Sequence, residues 1–489
     1  MSFNRDHLLD EFRRLKLIRE LSAGKFSLFS GKVAHFFIAL ILFVVLVTWL
    51  LHATEMKREA VYMSGIFLLS AYLWVTEALP LFATALLVIG LEIIFIANPG
   101  GWQSLGFANG ESPVYTIFIE PLANPVIILF LGGFLLAMAS VKQGVDQALA
   151  STLLKLFGNQ PLMIMLGLMS VTATFSMFMS NTATTAMMIT LVIPLLKFIP
   201  KGDPFNKALI LCIPFAANIG GMGTPIASPP NAVAMGFLKS AGFNITFLQW
   251  MLIAIPLVVA LLLFALFLLW TFYKPREKGL SVVLKPIKIN RSGWFVIVIF
   301  STTVLLWLTD QWHGLPSAAV ALLPAIAFTA TGIIKRIDYN SLEWHILTLI
   351  AGGIALGVGM KVTGLDAIII NEIPPGSAWV FILLLVSTAL FSTFMSNTAA
   401  ANLIIPIGIS FASGVMGKPL EAIILGVSIA LVSSISMALP ISTPPNAIAY
   451  ARGILNSKDF MLTGSIIGVF ALLLILLFSR TVIEFWMTL

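Results

Sequence analysis

The sequence has few charged residues, since Asp, Glu, Lys and Arg together make up 10% of its 489 residues. A soluble globular protein carries about 25% charged residues. The shortage argues against a soluble enzyme, a nucleic-acid-binding protein and an intrinsically disordered chain. Cysteine is scarcer still: Cys212 is the single one in the sequence, so no intrachain disulfide can form.

Hydrophobic residues make up 59% of the chain. A transmembrane helix needs about 20 consecutive apolar residues. The sequence therefore predicts an all-α polytopic membrane protein embedded in a lipid bilayer, with about eleven transmembrane helices. The predicted spans are 33–51, 60–79, 81–98, 124–141, 206–236, 247–272, 293–311, 316–334, 344–361, 419–452 and 461–482.

Basic residues concentrate in two segments, 1–32 and 273–292. Cytoplasmic loops of membrane proteins carry an excess of Lys and Arg, so both segments are predicted to be cytoplasmic. Residues 1–32 are predicted to form a basic amphipathic helix on the membrane surface. The alternative is a disordered basic tail. Six spans lie in the first half, 33–272, and five in the second, 293–489. This count predicts a cytoplasmic N-terminus and an outside C-terminus, and it leaves Lys57 and Arg58 outside.

An internal repeat relates the two halves. Residues 175–183, Phe-Ser-Met-Phe-Met-Ser-Asn-Thr-Ala, recur as Phe-Ser-Thr-Phe-Met-Ser-Asn-Thr-Ala at 391–399. Pro-Pro-Asn-Ala at 229–232 recurs at 444–447. The span at 60–79 corresponds to the one at 293–311, five spans later. An odd separation means that the halves cross the membrane in opposite directions, which is the inverted-repeat plan of many secondary transporters.

Two apolar stretches, 161–199 and 377–412, contain the repeated Ser-Asn-Thr cluster. Each is long for one span and short for two, which favours a re-entrant helical hairpin with Ser-Asn-Thr at its tip. Irregular backbone at membrane depth is tolerated where protein buries it or water reaches it. The two tips are therefore predicted to meet near the midplane.

The spans 206–236 and 419–452 are interrupted by Gly- and Pro-rich segments that end in Pro-Pro-Asn. Proline removes a backbone donor and clashes with the preceding turn, so each span is predicted to be a discontinuous helix. Free N–H groups at half-helix N-termini favour anions. Unwound carbonyls and hydroxyls can ligate a small cation.

The repeated motifs contain no His, Cys, Asp, Glu, Lys or Arg. Their composition argues against a transition-metal site and against a hydrolase, because Ser180 and Ser396 have no neighbouring base. Neutral oxygens around a monovalent hard cation fit, and so does an anion among N–H and hydroxyl donors. A Na⁺ beside each tip would supply the positive charge that the motifs lack.

These paired tips and paired breaks resemble those of the divalent anion/sodium symporters. The stretch Trp-Val-Thr-Glu-Ala-Leu-Pro at 74–80 is also similar to one found in that family. The resemblance covers roughly residues 60–480. It is closest to bacterial members that carry C4-dicarboxylates such as succinate, malate and fumarate.

The resemblance implies a homodimer in which each protomer has a scaffold domain and a transport domain that moves as an elevator. It assigns two sodium ions and one dicarboxylate to the repeated motifs. The implied substrate-binding residues are Ser180, Asn181, Thr182, Ser396, Asn397, Thr398, Pro229, Pro444 and Thr443. The implied first sodium site comprises Ser176, Ser180, Asn181 and Ala227, and the second comprises Ser392, Met395, Asn397 and Ser442.

The sequence thus predicts a sodium-coupled C4-dicarboxylate symporter of the cell inner (plasma) membrane, and not an enzyme. One alternative with the same fold is a sodium-independent exchanger, for example of 2-oxoglutarate against another dicarboxylate. Others are a citrate or sulfate transporter, a channel or ion antiporter, and a membrane-embedded enzyme that uses Ser180.

Overall fold

The computed structural model describes residues 31–276, 288–371, 379–412 and 419–488. The predicted amphipathic segment, apart from its last two residues, and most of the predicted cytoplasmic linker lie outside the described residues. Within the described ranges all regular secondary structure is helical.

The helices of the two halves follow one another in the same order. The first half contains α1 (Gly31–Ala53), α2 (Arg58–Thr76), α3 (Leu81–Glu92, continued as a π-helical turn over Ile93–Ala97), α4 (Thr116–Ile119), α5 (Pro125–Lys142), α6 (Val145–Leu154), α7 (Pro161–Ser176), α8 (Asn181–Leu196), α9 (Phe205–Gly220), α10 (Pro229–Ser240) and α11 (Phe247–Phe272). The second half contains α12 (Arg291–Leu308), α13 (Asp310–His313), α14 (Ser317–Val320), α15 (Leu322–Ala330), α16 (Arg336–Asn340), α17 (Trp344–Thr363), α18 (Leu365–Asn371), α19 (Trp379–Phe394), α20 (Asn397–Phe411), α21 (Pro419–Ser434), α22 (Pro444–Tyr450) and α23 (Ser457–Thr488).

Seven of the described helical segments are long and apolar enough to cross a membrane alone. Two shorter segments, Leu81–Ala97 and Ser317–Ala330, and the two discontinuous helices α9–α10 and α21–α22 bring the number of spans to eleven, as predicted. The helix pairs α7–α8 and α19–α20 are the two predicted hairpins. The sequence did not predict the short helices α6 and α18, which follow α5 and α17.

Proline defines where several of these helices begin. Because proline lacks an N–H and has a fixed φ, it fits the first turn of a helix. The helices α5, α7, α10 and α22 each begin at a proline. The side-chain oxygen of Asn124 accepts a hydrogen bond from the N–H of Val126, 3.0 Å away, and so caps α5. The Pro-Pro pairs restart the two interrupted helices after their unwound segments.

The two discontinuous helices cross each other in opposite directions. The helix α9 packs against α22, and α10 packs against α21, so the first part of each broken helix meets the second part of the other. At the crossing, Asn218 Nδ2 lies 3.0 Å from Thr443 Oγ1, and Ser228 Oγ lies 3.3 Å from Ser434 Oγ. This antiparallel crossing is what an inverted repeat requires.

Two tryptophans occupy equivalent places in the repeats. The fully buried indole of Trp74 donates to the carbonyl of Leu81 at 3.1 Å, which joins the end of α2 to the start of α3. Trp307 is also fully buried and donates to the carbonyl of Ser317 at 3.0 Å, at the corresponding turn of the second half. Buried indole N–H groups generally find such a partner, and here each one fixes a turn between membrane helices.

Glycines allow the two halves to interlock. A Cβ built on Gly132 in α5 would lie 2.6 Å from the Cβ of Ala321, and one on Gly352 in α17 would lie 2.3 Å from the Cβ of Ala85. Each of these equivalent glycines therefore lets a helix of one repeat approach the backbone of the other. Close approach through small residues is the usual way in which membrane helices pack.

We expect Gly352→Ala to lower the free energy of unfolding by about 1–3 kcal/mol, because the added methyl group overlaps the backbone of Ala85. Gly90→Ala is the matched control, since a Cβ on that helical glycine would meet nothing within 4 Å. The measurement is the thermal unfolding midpoint of each purified variant in detergent. Equal midpoints for the two variants would contradict this packing.

Candidate functional site

Each hairpin tip places an asparagine at the start of a helix. In the first, α7 ends at Ser176 and α8 begins at Asn181 after a turn over residues 177–180. The hydroxyl oxygen of Ser180 caps α8 by accepting from the N–H of Ala183 at 3.3 Å. In the second, α20 begins at Asn397 directly after Ser396. The Ser-Asn-Thr order thus supplies a cap followed by the first helical turn.

Three oxygens meet behind the first tip. The fully buried hydroxyl of Ser176 lies 2.6 Å from Asn181 Oδ1 and 2.8 Å from the carbonyl oxygen of Ala217. A hydroxyl has one hydrogen, so it cannot fully satisfy both acceptors. A cluster with more oxygens than hydrogens is suited to a small hard cation.

The same cluster recurs behind the second tip. The buried Ser392 hydroxyl lies 2.8 Å from Asn397 Oδ1 and also bonds the carbonyl of Ser433. The carbonyls of Ala217 and Ser433 were missed by sequence reasoning, because neither position carries a distinctive side chain. Their signal was the repeat itself, since the two residues are related by the same shift of 216 as the tips.

Asparagine amides satisfy the backbone exposed by the two helix breaks. Asn231 Nδ2 donates to the carbonyls of Gly221 and Thr224 at 2.9 and 2.8 Å. Asn446 Nδ2 donates to the carbonyls of Met437 and Leu439, both at 2.9 Å. Buried carbonyls without a donor are costly. In both Pro-Pro-Asn motifs the asparagine amide therefore holds the unwound backbone in place.

A cavity of about 940 Å³ lies between the tips and the breaks. Twelve of the residues predicted to bind substrate or sodium lie on its wall: Ser180, Asn181, Thr182, Ala227, Pro229, Met395, Ser396, Asn397, Thr398, Ser442, Thr443 and Pro444. The other two, Ser176 and Ser392, lie behind the wall and reach it through Asn181 and Asn397. The structure thus brings all the predicted site residues into one region.

Several helices begin at the wall of this cavity. The helices α8, α10 and α20 all begin at its wall, at Asn181, Pro229 and Asn397. At α8 and α20 the first N–H groups have no partner within the helix, whereas α10 begins with Pro229 and Pro230, which have no N–H. The positive ends of the helix dipoles at this wall favour an anion. The cavity can therefore hold an anion between two oxygen clusters that suit cations.

Titratable side chains also line the cavity, away from the motifs. They are Lys32, Glu77, Glu343 and His345. Burial raises the pKa of Glu343 above its ordinary value, and nearby His345 opposes that shift. Sequence reasoning did not place Lys32, Glu343 or His345 at the site, because their helices are far from the motifs along the chain.

Comparison with known proteins identifies the family. Residues 32–489 match the profile of the sodium:sulfate symporter transmembrane region. The chain belongs to this family. The match covers nearly the whole chain and confirms the divalent anion/sodium symporter family predicted from the motifs. Members of the family are transporters, so the chain is a multi-pass membrane transporter and not an enzyme.

Relatives with curated names differ in what those names say they carry. The chain is 30% identical to the sodium-dependent dicarboxylate transporter SdcS of Staphylococcus saprophyticus, over 88% of each protein. It is 31% identical to the inorganic phosphate transporter PHO87 of Saccharomyces cerevisiae, over 81% of this chain and 43% of that protein.

A solved structure shares the fold. The YdaH transporter of Alcanivorax borkumensis superposes with a TM-score of 0.52 at 12% identity, over 77% of this chain and 90% of the other.

We expect Asn231→Ala to destabilise the protein, because it leaves the buried carbonyls of Gly221 and Thr224 without their donor. The cost is about 1–3 kcal/mol for each unsatisfied group. Asn340→Ala is the control, since Asn340 is an exposed residue of α16. Thermal unfolding midpoints in detergent measure both variants, and an unchanged midpoint for Asn231→Ala would refute the role assigned to this amide.

Proposed function

We propose that this protein is a sodium-coupled symporter of C4-dicarboxylates such as succinate, malate and fumarate. The observation that carries the proposal is the pair of equivalent oxygen clusters on either side of one anion-compatible cavity. The dicarboxylate SdcS relative supports the substrate class and the use of sodium.

The oxygen clusters behind the tips are the proposed sodium sites. The first combines Ser176, Asn181 and the carbonyl of Ala217, and the second combines Ser392, Asn397 and the carbonyl of Ser433. Hard cations prefer oxygen ligands. Ser180 and Ala227 would complete the first site, and Met395 and Ser442 the second, since all four lie on the adjoining cavity wall.

The dicarboxylate would lie between the tips. Ser180, Asn181 and Thr182 would hold one carboxylate, and their equivalents Ser396, Asn397 and Thr398 the other. Thr443, Pro229 and Pro444 would line the space between the carboxylates. The cavity volume of about 940 Å³ is at the upper end of small-molecule sites, so it accommodates a four-carbon dianion with water.

Coupling follows from the shared asparagines. Asn181 and Asn397 both lie on the cavity wall, and the amide oxygen of each belongs to one of the two oxygen clusters. A bound sodium fixes the amide and adds positive charge beside the anion. The anion in turn favours sodium, because energetic coupling between two binding sites is reciprocal.

The proposed location is the cell inner membrane, with a cytoplasmic N-terminus. Lys32 at the start of α1 and Glu343 at the start of α17 both line the cavity, so the cavity opens toward that face. The same face carries the ion pairs of Lys142 with Asp338 and of Lys207 with Asp459. Basic residues mark cytoplasmic faces, which would make this structure inward-facing and put the C-terminus outside.

The resemblance to the family supports two further parts of the proposal. A homodimer would keep the scaffold helices still, while a transport domain made of the hairpins and broken helices moves as an elevator. The hairpin and the broken helix of each half pack together: α7 and α8 against α9, and α19 and α20 against α21.

Inorganic phosphate is a second candidate substrate, favoured by the similarity to PHO87. Sulfate is a third, favoured by the description of the family. Competition by phosphate, sulfate and citrate against labelled succinate distinguishes these anions.

The test is uptake of radiolabelled succinate into liposomes that contain the purified protein. We expect accumulation with an inward sodium gradient and none when K⁺ replaces Na⁺. Asn181→Ala and Asn397→Ala should each lower the rate at subsaturating succinate about 10-fold or more, since a hydrogen bond to a charged group contributes roughly 1.5–3 kcal/mol. Asn109→Ala is the control, because Asn109 is exposed and away from the cavity.

Two results would count against the proposal. Uptake that persists in K⁺ but requires a dicarboxylate inside the liposomes would favour the exchanger. Full accumulation by the Asn181→Ala, Asn397→Ala double variant would remove the site itself from the mechanism.

A further inference from the structure

Asn218 lies where the two discontinuous helices cross, on the cavity wall, and its side chain was not part of the predicted site. It is the third-last residue of α9 and is 2% exposed. Its amide nitrogen lies 3.0 Å from Thr443 Oγ1 and 3.4 Å from Asn446 Oδ1. It thus connects the end of α9 to the start of α22.

The hydrogen bonds around Asn446 fix the orientation of the Asn218 amide. Asn446 Nδ2 donates one hydrogen to the carbonyl of Met437 and the other to the carbonyl of Leu439. Its Oδ1 can only accept, so the group that faces it from Asn218 must be the nitrogen. The second hydrogen of that nitrogen then goes to the hydroxyl oxygen of Thr443.

This arrangement leaves the Thr443 hydroxyl as a donor. Its oxygen accepts from Asn218 Nδ2 at 3.0 Å and from the backbone N–H of Asn446 at 3.3 Å. A hydroxyl has two lone pairs and one hydrogen, so both acceptor positions are used. Among the described residues no acceptor for the remaining hydrogen is recorded. Thr443 lies on the cavity wall, and the cavity occupant is the group left to receive that hydrogen.

The equivalent hydroxyl in the first half is arranged differently. Ser434 donates to the carbonyl of Ala430 at 3.1 Å, so in its 3.3 Å contact with Ser228 it must accept. Ser228 therefore donates its hydroxyl hydrogen to Ser434 and has none left for the cavity occupant. The difference arises because Asn218 in the first half corresponds to Ser434 in the second, at the shift of 216 that relates the tips.

We propose that Asn218 is a positioning residue that turns the Thr443 hydroxyl into a hydrogen-bond donor to the transported anion. The anion is then held unequally, with one more hydroxyl donor from the second half than from the first. This inference rests on the proposed anion transport and adds to it a residue that acts through another.

The test is a double-mutant cycle between Asn218 and Thr443, with KM for succinate measured at saturating sodium in liposomes. Thr443→Val should raise KM about 10-fold, because it removes a hydrogen bond donated to a charged group. Asn218→Ala should raise KM by a similar factor, because the Thr443 hydroxyl loses the donor that orients it. The double variant should be no worse than either single variant, since both substitutions remove the same interaction. Thr443→Ser keeps the hydroxyl and should stay within about twofold of wild type.

Ser428→Ala is the control for a structural role, because Ser428 is buried in the neighbouring α21 and bonds Ser479 at 3.0 Å. It should lower the unfolding midpoint and leave KM unchanged. Effects of Asn218→Ala and Thr443→Val that multiply in the double variant would overturn the inference. So would an Asn218→Ala variant that behaves like Ser428→Ala.

The two proposals fail in different ways. A wild-type protein that takes up an anion while the cycle shows no coupling refutes the positioning role alone. When sulfate or phosphate is the anion taken up, the cycle is run with that anion, since the Thr443 donor acts on any of the three. A wild-type protein that neither transports nor is thermally stabilised by succinate, sulfate or phosphate refutes both.

Discussion

Unpaired backbone groups at membrane depth are the constraint on which this structure depends. A helix that stops inside the membrane exposes N–H and C=O groups for which lipid offers no partner. The amides of Asn231 and Asn446 satisfy carbonyls of the unwound segments, and the restarting helices begin with Pro-Pro pairs, which have no N–H to satisfy. The same break that would be costly elsewhere thus creates the polar interior of the transporter. The breaks and the hairpin tips share one location because each needs protein or water around it.

The internal repeat explains why a site poor in charged residues can suit charged solutes. Each half supplies a serine, an asparagine and a backbone carbonyl in the same arrangement, and the antiparallel crossing of the broken helices brings the two sets to one cavity. In the proposed mechanism, cations held by neutral oxygens and an anion held in the cavity would neutralise each other within the protein. The loaded site would then cross the low-dielectric part of the membrane with little net charge, which would lower the cost of burial.

Much of this architecture could be predicted from the sequence, because breaks and tips leave strong local signals. Repeated Ser-Asn-Thr and Pro-Pro-Asn motifs predicted the hairpins and the discontinuous helices, and the structure places the residues of both around one cavity. Features that depend on contacts between distant helices could not be predicted in this way. The carbonyl of Ala217 has no side-chain signature, and Asn218 acts through a residue 225 positions later in the chain. Lys32 and His345 reach the cavity from helices that carry no motif. The equivalent roles of Trp74 and Trp307 had a usable signal, since each is followed two residues later by Thr and then by an acidic residue.

The crossing of the broken helices has a consequence for the energy landscape of the protein. The two halves are similar in structure and run in opposite directions, so an exchange of their conformations would open the cavity toward the other face of the membrane. If the two halves were identical, the two arrangements would have equal free energy. The polar contacts at the crossing are not symmetric, since one side pairs an asparagine with a threonine and the other pairs two serines. Two states related by an exchange of the halves would therefore differ in free energy, because the halves are not identical at this crossing.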